Sequence, residues 1–264
     1  MDSCLKGKNA LITGSSSGIG KGIAIALAKE GVNIIVASRN PDPNVIKQIQ
    51  SLGVMATSLS IDVSKESQIT KMFNNAIKKI SILDLFINNV ASHWDEPVTK
   101  ITTKNWFKVI NTNLTSCILA CKEASRLMIT QKTGNILIIG STATWNPLAG
   151  ESTYRISKVG VRSYMETLAV ELAPFGIRVN LLTPGGFNTP MLDKLDPRLK
   201  NQTVKREIPL KRLGNTEELG PSAILLLSDK LSPYTTGSEL VVDGGLKLRP
   251  LPIFSNNELI KMNS

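Results

Sequence analysis

Apolar residues along the chain follow two alternating rhythms. Short, nearly continuous runs occupy Asn9–Thr13, Asn33–Ala37, Met55–Ile61, Leu83–Asn88, Asn135–Ile139, Arg178–Leu182 and Glu239–Val242. Several lack the in-and-out alternation of a half-exposed strand, as a parallel strand covered on both faces requires. Between them lie helical spacings near Ile19–Glu30, Ser64–Lys79, Thr103–Ile129, Ser152–Pro174 and Glu217–Leu227. The order predicts an α/β chain. About seven parallel strands form one doubly wound sheet, with right-handed crossovers and helices on both faces. No repeat or linker divides residues 1–264, so a single domain is expected. Two segments break the rhythm: the charge-rich Gly185–Gly214 and the tail Leu246–Ser264.

Composition narrows this picture. Hydrophobic residues make up 42% of the 264 positions, too many for a disordered chain. No apolar run reaches the roughly 18 residues of a membrane span. The opening MDSCLKGKNALITG runs straight into the first strand without signal-peptide architecture, so a cytoplasmic protein is expected. Cys4, Cys117 and Cys121 are an odd set with no histidine among them, which suits neither a disulfide framework nor a zinc site. No metal site is expected. The formal charge of +10 comes from 31 basic and 21 acidic residues. Its lysines are scattered and carry no interleaved basic-aromatic motif, so neither nucleic acid nor a membrane surface is an expected partner.

The most telling local chemistry follows the first strand, in Thr13-Gly14-Ser15-Ser16-Ser17-Gly18-Ile19-Gly20. A glycine-rich turn from strand into helix aims backbone N–H groups and the helix N-terminus at a pyrophosphate. Gly14 suits the tight turn, Gly18 the approach of a phosphate, and Gly20 close helix–sheet packing. The alternative is a purely structural turn, but its place after the first strand of an alternating chain favours a Rossmann-type dinucleotide site. Ser16, Ser17 and Ile19 complete the candidate set. Arg39 closes the second strand 19 residues after Gly20. An acidic residue there would grip a free ribose hydroxyl, whereas Arg accommodates a 2′-phosphate, so NADP(H) is expected over NAD(H). Asp62 and Val63, after the third strand, are placed to receive the adenine edge.

A second cluster is Tyr154-Arg155-Ile156-Ser157-Lys158, in which Tyr154 and Lys158 share one helix face. With the glycine turn, Asp62-Val63, Asn88-Asn89, Arg178-Val179-Asn180 and Pro184-Gly185, the chain resembles the short-chain dehydrogenase/reductase family. The resemblance runs from about Leu5 to Asp243-Gly244-Gly245. It is strongest toward NADP-preferring members such as 3-oxoacyl carrier-protein reductases and tropinone-type reductases. One departure is Asn88-Asn89-Val90-Ala91, where the family has Asn-Asn-Ala-Gly.

The resemblance implies a catalytic set of Asn113, Ser141, Tyr154 and Lys158. Tyr154 would be the proton donor, Ser141 would orient the carbonyl, and Asn113 would hold a relay water. It also implies cofactor contacts from Asn89, Pro184, Gly185 and Thr189, a substrate lid over about 185–214, and a homotetramer or homodimer. The physics of the pair agrees with the implied chemistry. A free tyrosine titrates near ~10, and a neighbouring cation would draw that value toward neutrality. The expected activity is NADP(H)-dependent hydride transfer between the nicotinamide and a carbonyl or secondary alcohol. The alternative is a non-catalytic sensor or scaffold of the same fold.

Other residues attract less specific expectations. His93, the only histidine, is expected in an exposed loop, with a place lining the pocket mouth as the alternative. Trp145 and Asn146 would flank the substrate or pack on a neighbouring subunit. Asp193–Arg212 carries seven basic and three acidic residues, which suits an anionic or carrier-bound substrate.

Overall fold

The computed structural model describes residues 2–194, 204 and 206–248. Seven strands, β1 (Asn9–Thr13), β2 (Asn33–Ser38), β3 (Ala56–Ser60), β4 (Leu85–Asn88), β5 (Asn135–Ile139), β6 (Arg178–Pro184) and β7 (Glu239–Val242), form one sheet. Their order is β3-β2-β1-β4-β5-β6-β7, and every pairing is parallel. Neighbouring residues of one strand feed opposite cores, which explains the unbroken apolar runs. Leu11, Ile35, Phe86 and Ile138 face one side, while Ile12, Ile34, Val36, Ile87 and Leu137 face the other.

Helices close both faces. On one side pack α3 (Glu66–Ile80), α5 (Ser116–Gln131) and α6 (Ser152–Leu172), burying Met72, Phe73, Met128 and Met165. On the other lie α1 (Gly18–Lys29), α2 (Pro43–Gln50) and α7 (Gly220–Leu227), burying Ile23, Leu27, Val45, Ile49 and Leu226. A further helix, α4 (Thr103–Ile110), leads toward α5. Each fully buried Leu, Ile or Phe contributes about 1.5–3 kcal/mol relative to exposure. Among the described residues no helix is long and apolar enough to cross a membrane.

Two elements differ from the sequence expectation. Helix α2 was not anticipated: it is short and buries only Val45 and Ile49. Its start is nevertheless written in the sequence, since Asp42 caps it by accepting from the Asn44 N–H and Pro43 occupies the first turn. The long helix expected over Thr103–Ile129 is interrupted. Asn111–Thr115 form a π turn in which Ser116 N–H donates to the Asn111 carbonyl, an i→i+5 bond. Periodicity cannot see one extra residue inserted into an otherwise helical run, and such bulges gather at functional sites.

The sheet reverses its winding between β1 and β4, so a crevice opens beyond the carboxyl ends of these strands. The glycine turn, the loop after Asn88, Ser141 and the Pro184-Gly185 segment all lie at that edge. Of the expected lid, 195–203 and 205 lie outside the described residues, as does 249–264 of the tail.

Candidate active site

The glycine turn is held from two directions. Gly14 takes φ +67° and Gly18 φ +55°, conformations that side chains rarely tolerate. Asn89 reaches across from β4, its amide nitrogen donating to the carbonyls of Thr13 (3.0 Å) and Gly14 (3.1 Å). A Cβ on Gly20 would lie 2.5 Å from both that amide and the Gly14 carbonyl oxygen, so only glycine lets helix, turn and β4 meet. The Asn89 side chain thus buttresses the turn. Ser17 stands at the N-cap of α1 without a side-chain capping bond, and the first turn holds no acidic residue. The leading N–H groups of this helix therefore suit a phosphate, as the pyrophosphate assignment requires.

Ser16 and Ser38 share a hydrogen bond of 2.6 Å, fastening the turn to the end of β2, where Arg39 is exposed. Asp62 accepts from Ser64 N–H and Oγ, which, with the positive charge of Arg39 nearby, holds its carboxyl below the usual range. Val63 is buried beside it. Across the crevice, Gly185 N–H donates to the Val242 carbonyl just after Pro184. Thr189 comes back to the glycine turn: a Cβ on Gly18 would meet its Cγ2 at 3.5 Å. Ile19 packs against the core under the turn. The structure thus collects every residue singled out for the dinucleotide on one edge of the sheet.

Helix α6 carries Tyr154, Ser157 and Lys158, all buried. The Lys158 ammonium donates to the Ile139 carbonyl at 2.9 Å and stands 6.0 Å from the Tyr154 ring centre. Ser141 begins the short helical turn after β5, with its Oγ accepting from Ala143 N–H. Asn113 sits in the π turn. Its side chain accepts from Ser92 N–H (2.7 Å) and donates to the Ser92 carbonyl and Ser157 Oγ, both at 2.9 Å. The inserted residue thus aims a buried amide at both the loop after β4 and helix α6.

The electrostatics correct one expectation. Burial pushes the Tyr154 phenol up to about 12, Ser141 only partly opposing this and the Glu151 charge adding to it. Burial also brings the Lys158 ammonium down to about 8. The phenol is not drawn toward neutrality in this geometry, because burial raises it more than the Ser141 hydrogen bond lowers it. Tyr154 is a held proton at neutral pH.

Known proteins match this arrangement over nearly the whole chain. A family model described as "Enoyl-(Acyl carrier protein) reductase" fits residues 14–247. The chain is 34% identical over 248 residues to a 3-oxoacyl-[acyl-carrier-protein] reductase of Chlamydia pneumoniae, covering 93% of this chain and 99% of that protein. This protein belongs to the short-chain dehydrogenase/reductase family. It is likewise 35% identical over 252 residues to glucose 1-dehydrogenase 2 of Bacillus subtilis, covering 93% and 97% of the two chains. The crystal structure of a short-chain type dehydrogenase/reductase from Mycobacterium marinum superposes with a TM-score of 0.85 at 32% identity, covering 93% and 97%. As a short-chain dehydrogenase/reductase it is an NAD(P)-dependent oxidoreductase acting on CH–OH/C=O groups.

Sequence reasoning missed four features of this short-chain dehydrogenase/reductase. Arg155 donates from Nε to the Ala143 carbonyl (2.9 Å) and from Nη2 to that of Thr144 (3.1 Å), pinning the Ser141 loop to α6. Ser157, fully buried, links the Tyr154 carbonyl to Asn113. His93 is not the expected exposed residue: its side chain is 21% exposed and lies against Tyr154. Trp145 is flanked by Arg162 and Lys247 at 5.3 and 3.9 Å, and Asn146 is tied to the Leu246 carbonyl. The cation pair beside Trp145 was invisible because Lys247 is 102 positions away in the chain.

Proposed function

We propose that the chain is an NADP(H)-dependent carbonyl reductase in which Tyr154 gives its proton to the substrate oxygen. The observation that carries this reading is the buried Tyr154–Lys158 pair with half-buried Ser141, beside a glycine turn able to hold a dinucleotide. Gly14, Ser16, Ser17, Gly18, Ile19 and Gly20 would hold the pyrophosphate end, and Arg39 the 2′-phosphate. Asp62 and Val63 would face the adenine, with Asn89 supporting the turn. Pro184, Gly185 and Thr189 would face the nicotinamide, and Lys158 its ribose. When bound, the dinucleotide supplies the two-electron reduction of the carbonyl carbon.

The residues then divide the remaining work. Ser141 orients the carbonyl and donates toward its oxygen as negative charge develops there. A phenol raised to about 12 keeps its proton at neutral pH until an alkoxide, a far stronger base, is formed beside it. Lys158, still cationic below about 8, stabilises the phenolate left behind. Asn113 fixes the loop after β4 against α6 and so positions the set; a relay water at this residue completes the proposed path. The reading as a reductase is in keeping with two relatives named 3-oxoacyl-[acyl-carrier-protein] reductase. The substrate is a small carbonyl compound, with an anionic or carrier-bound one suggested by the basic Asp193–Arg212 segment.

The chain further reads as a cytoplasmic homo-oligomer, dimer or tetramer, through α5 and α6. Ile118 on α5 and Ile156, Val159 and Val170 on α6 are large apolar side chains left exposed. NADPH consumption over a panel of 3-oxoesters, ketones and aldoses, with NADH in parallel, tests the activity and the cofactor preference together. Turnover faster with NADH throughout would overturn the reading of Arg39.

A further inference from the structure

The loop after β4 brings a second titratable group to the catalytic tyrosine. His93 Nε2 stands 3.1 Å from Glu151 Oε1 and 3.4 Å from Asp95 Oδ1. Its ring meets that of Tyr154 edge-on, 4.6 Å between centres at 70°. Both contacts are built in. Ser92, one residue earlier, is clamped through N–H and carbonyl to Asn113, and Glu151 immediately precedes α6. A second clasp, Glu96 N–H to the Gly150 carbonyl at 3.0 Å, ties the two loops together. Among the described residues the second oxygen of Glu151 is buried without a hydrogen-bond partner. Among the described residues, the titratable groups facing His93 are Asp95 from its own loop and Glu151 and Tyr154 from the start of α6.

We propose that His93, held by Glu151 and Asp95, is a positioning residue whose charge sets how readily Tyr154 ionises. The inference rests on Tyr154 being the acid/base of the proposed function. With His93 protonated, the three-residue group carries one net negative charge. With His93 neutral it carries two, and the added charge stands beside the phenol and opposes its ionisation. Glu151 raises the affinity of His93 for its proton, so the change falls above the usual histidine range. Alcohol oxidation needs the phenolate, whereas carbonyl reduction starts from the phenol. Reduction leaves that phenolate behind and oxidation begins from it, so His93 protonation lowers the barrier that both directions share.

Opposite charges within about 4–6 Å shift a pKa by roughly one to three units, and partial cancellation by Glu151 leaves the low end, a factor of about ten. Because His93 is the only histidine, one set of imidazole resonances reports its titration by NMR without any substrate. Wild type should titrate above the usual value, and Glu151→Gln should bring it down. Oxidation of ethyl 3-hydroxybutyrate with saturating NADP+ is then compared in wild type and His93→Gln. Wild type should be about tenfold faster below the His93 titration point, the ratio closing to near one above it. Reduction of ethyl acetoacetate should show the same pH-dependent ratio, because the overall equilibrium fixes the quotient of the two directions. A purely structural role gives a ratio that does not change with pH, and that result would overturn the proposal, as would an ordinary or lowered His93 titration. If the esters are not turned over, the titrations of wild type and Glu151→Gln decide alone. Normal turnover in Tyr154→Phe would instead defeat the underlying reading of Tyr154, with the His93 titration unaffected.

Discussion

Replacing Lys158 by Met should make this protein more stable while removing its activity. The ammonium is buried, its hydrogen bond goes to the Ile139 carbonyl, and its pKa falls from 10.5 to about 8. That fall, at about 1.4 kcal/mol for each pH unit, is a folding penalty of about 3.5 kcal/mol at neutral pH. Met fills a similar volume but leaves the Ile139 carbonyl without that donor, at a cost of about 1 kcal/mol. The net gain is about 2.5 kcal/mol at pH 7. Its pH dependence follows from the sign of the shift. Between about pH 8 and 10.5 the unfolded chain binds more protons than the folded one, so wild-type stability rises with pH through that window. The advantage of the variant should therefore shrink by about 2 kcal/mol between pH 7 and 9.5. Urea unfolding of both proteins at the two pH values measures this directly. A Met variant no more stable than wild type at pH 7, or a gap unchanged at pH 9.5, would refute the reasoning.

Arg39→Asp should weaken NADPH by about one to two decades in Kd and NADH far less, since a charged hydrogen bond is worth about 1.5–3 kcal/mol; fluorescence titration with each dinucleotide checks it. Gly20→Ala should cost about 1–3 kcal/mol of stability through overpacking against Asn89 and Gly14, and should also weaken dinucleotide binding. Thermal melting with and without NADPH reads both effects.

The sheet was legible because strands such as Ile34–Val36 and Ile136–Ile138 send alternate residues into two dry cores, leaving an unmistakable apolar run. The glycine turn was legible for a similar reason: its glycines are fixed by backbone geometry within eight consecutive residues. What escaped the sequence is contact between distant segments and the balance of opposing energies. No local pattern in Ser92-His93-Trp94-Asp95 says that Asn113 pulls this loop onto α6 and lays His93 against Tyr154. Likewise the Tyr154/Lys158 spacing shows that they share a face, but not that Lys158 turns to Ile139 and burial raises the phenol. Sequence gives proximity along a helix; desolvation depends on what covers it.

Turnover by Tyr154→Phe, set beside its affinity for NADPH, tests the central claim most directly. The substitution removes one hydroxyl from a buried ring and leaves the glycine turn, Arg39 and Lys158 in place. A positioned acid contributes about 10²–10⁴-fold, so kcat for the best carbonyl substrate should fall by at least about a hundredfold. The NADPH Kd, measured by nicotinamide fluorescence, should stay within a few-fold of wild type. A variant that binds NADPH normally and retains turnover within a few-fold of wild type would contradict the account.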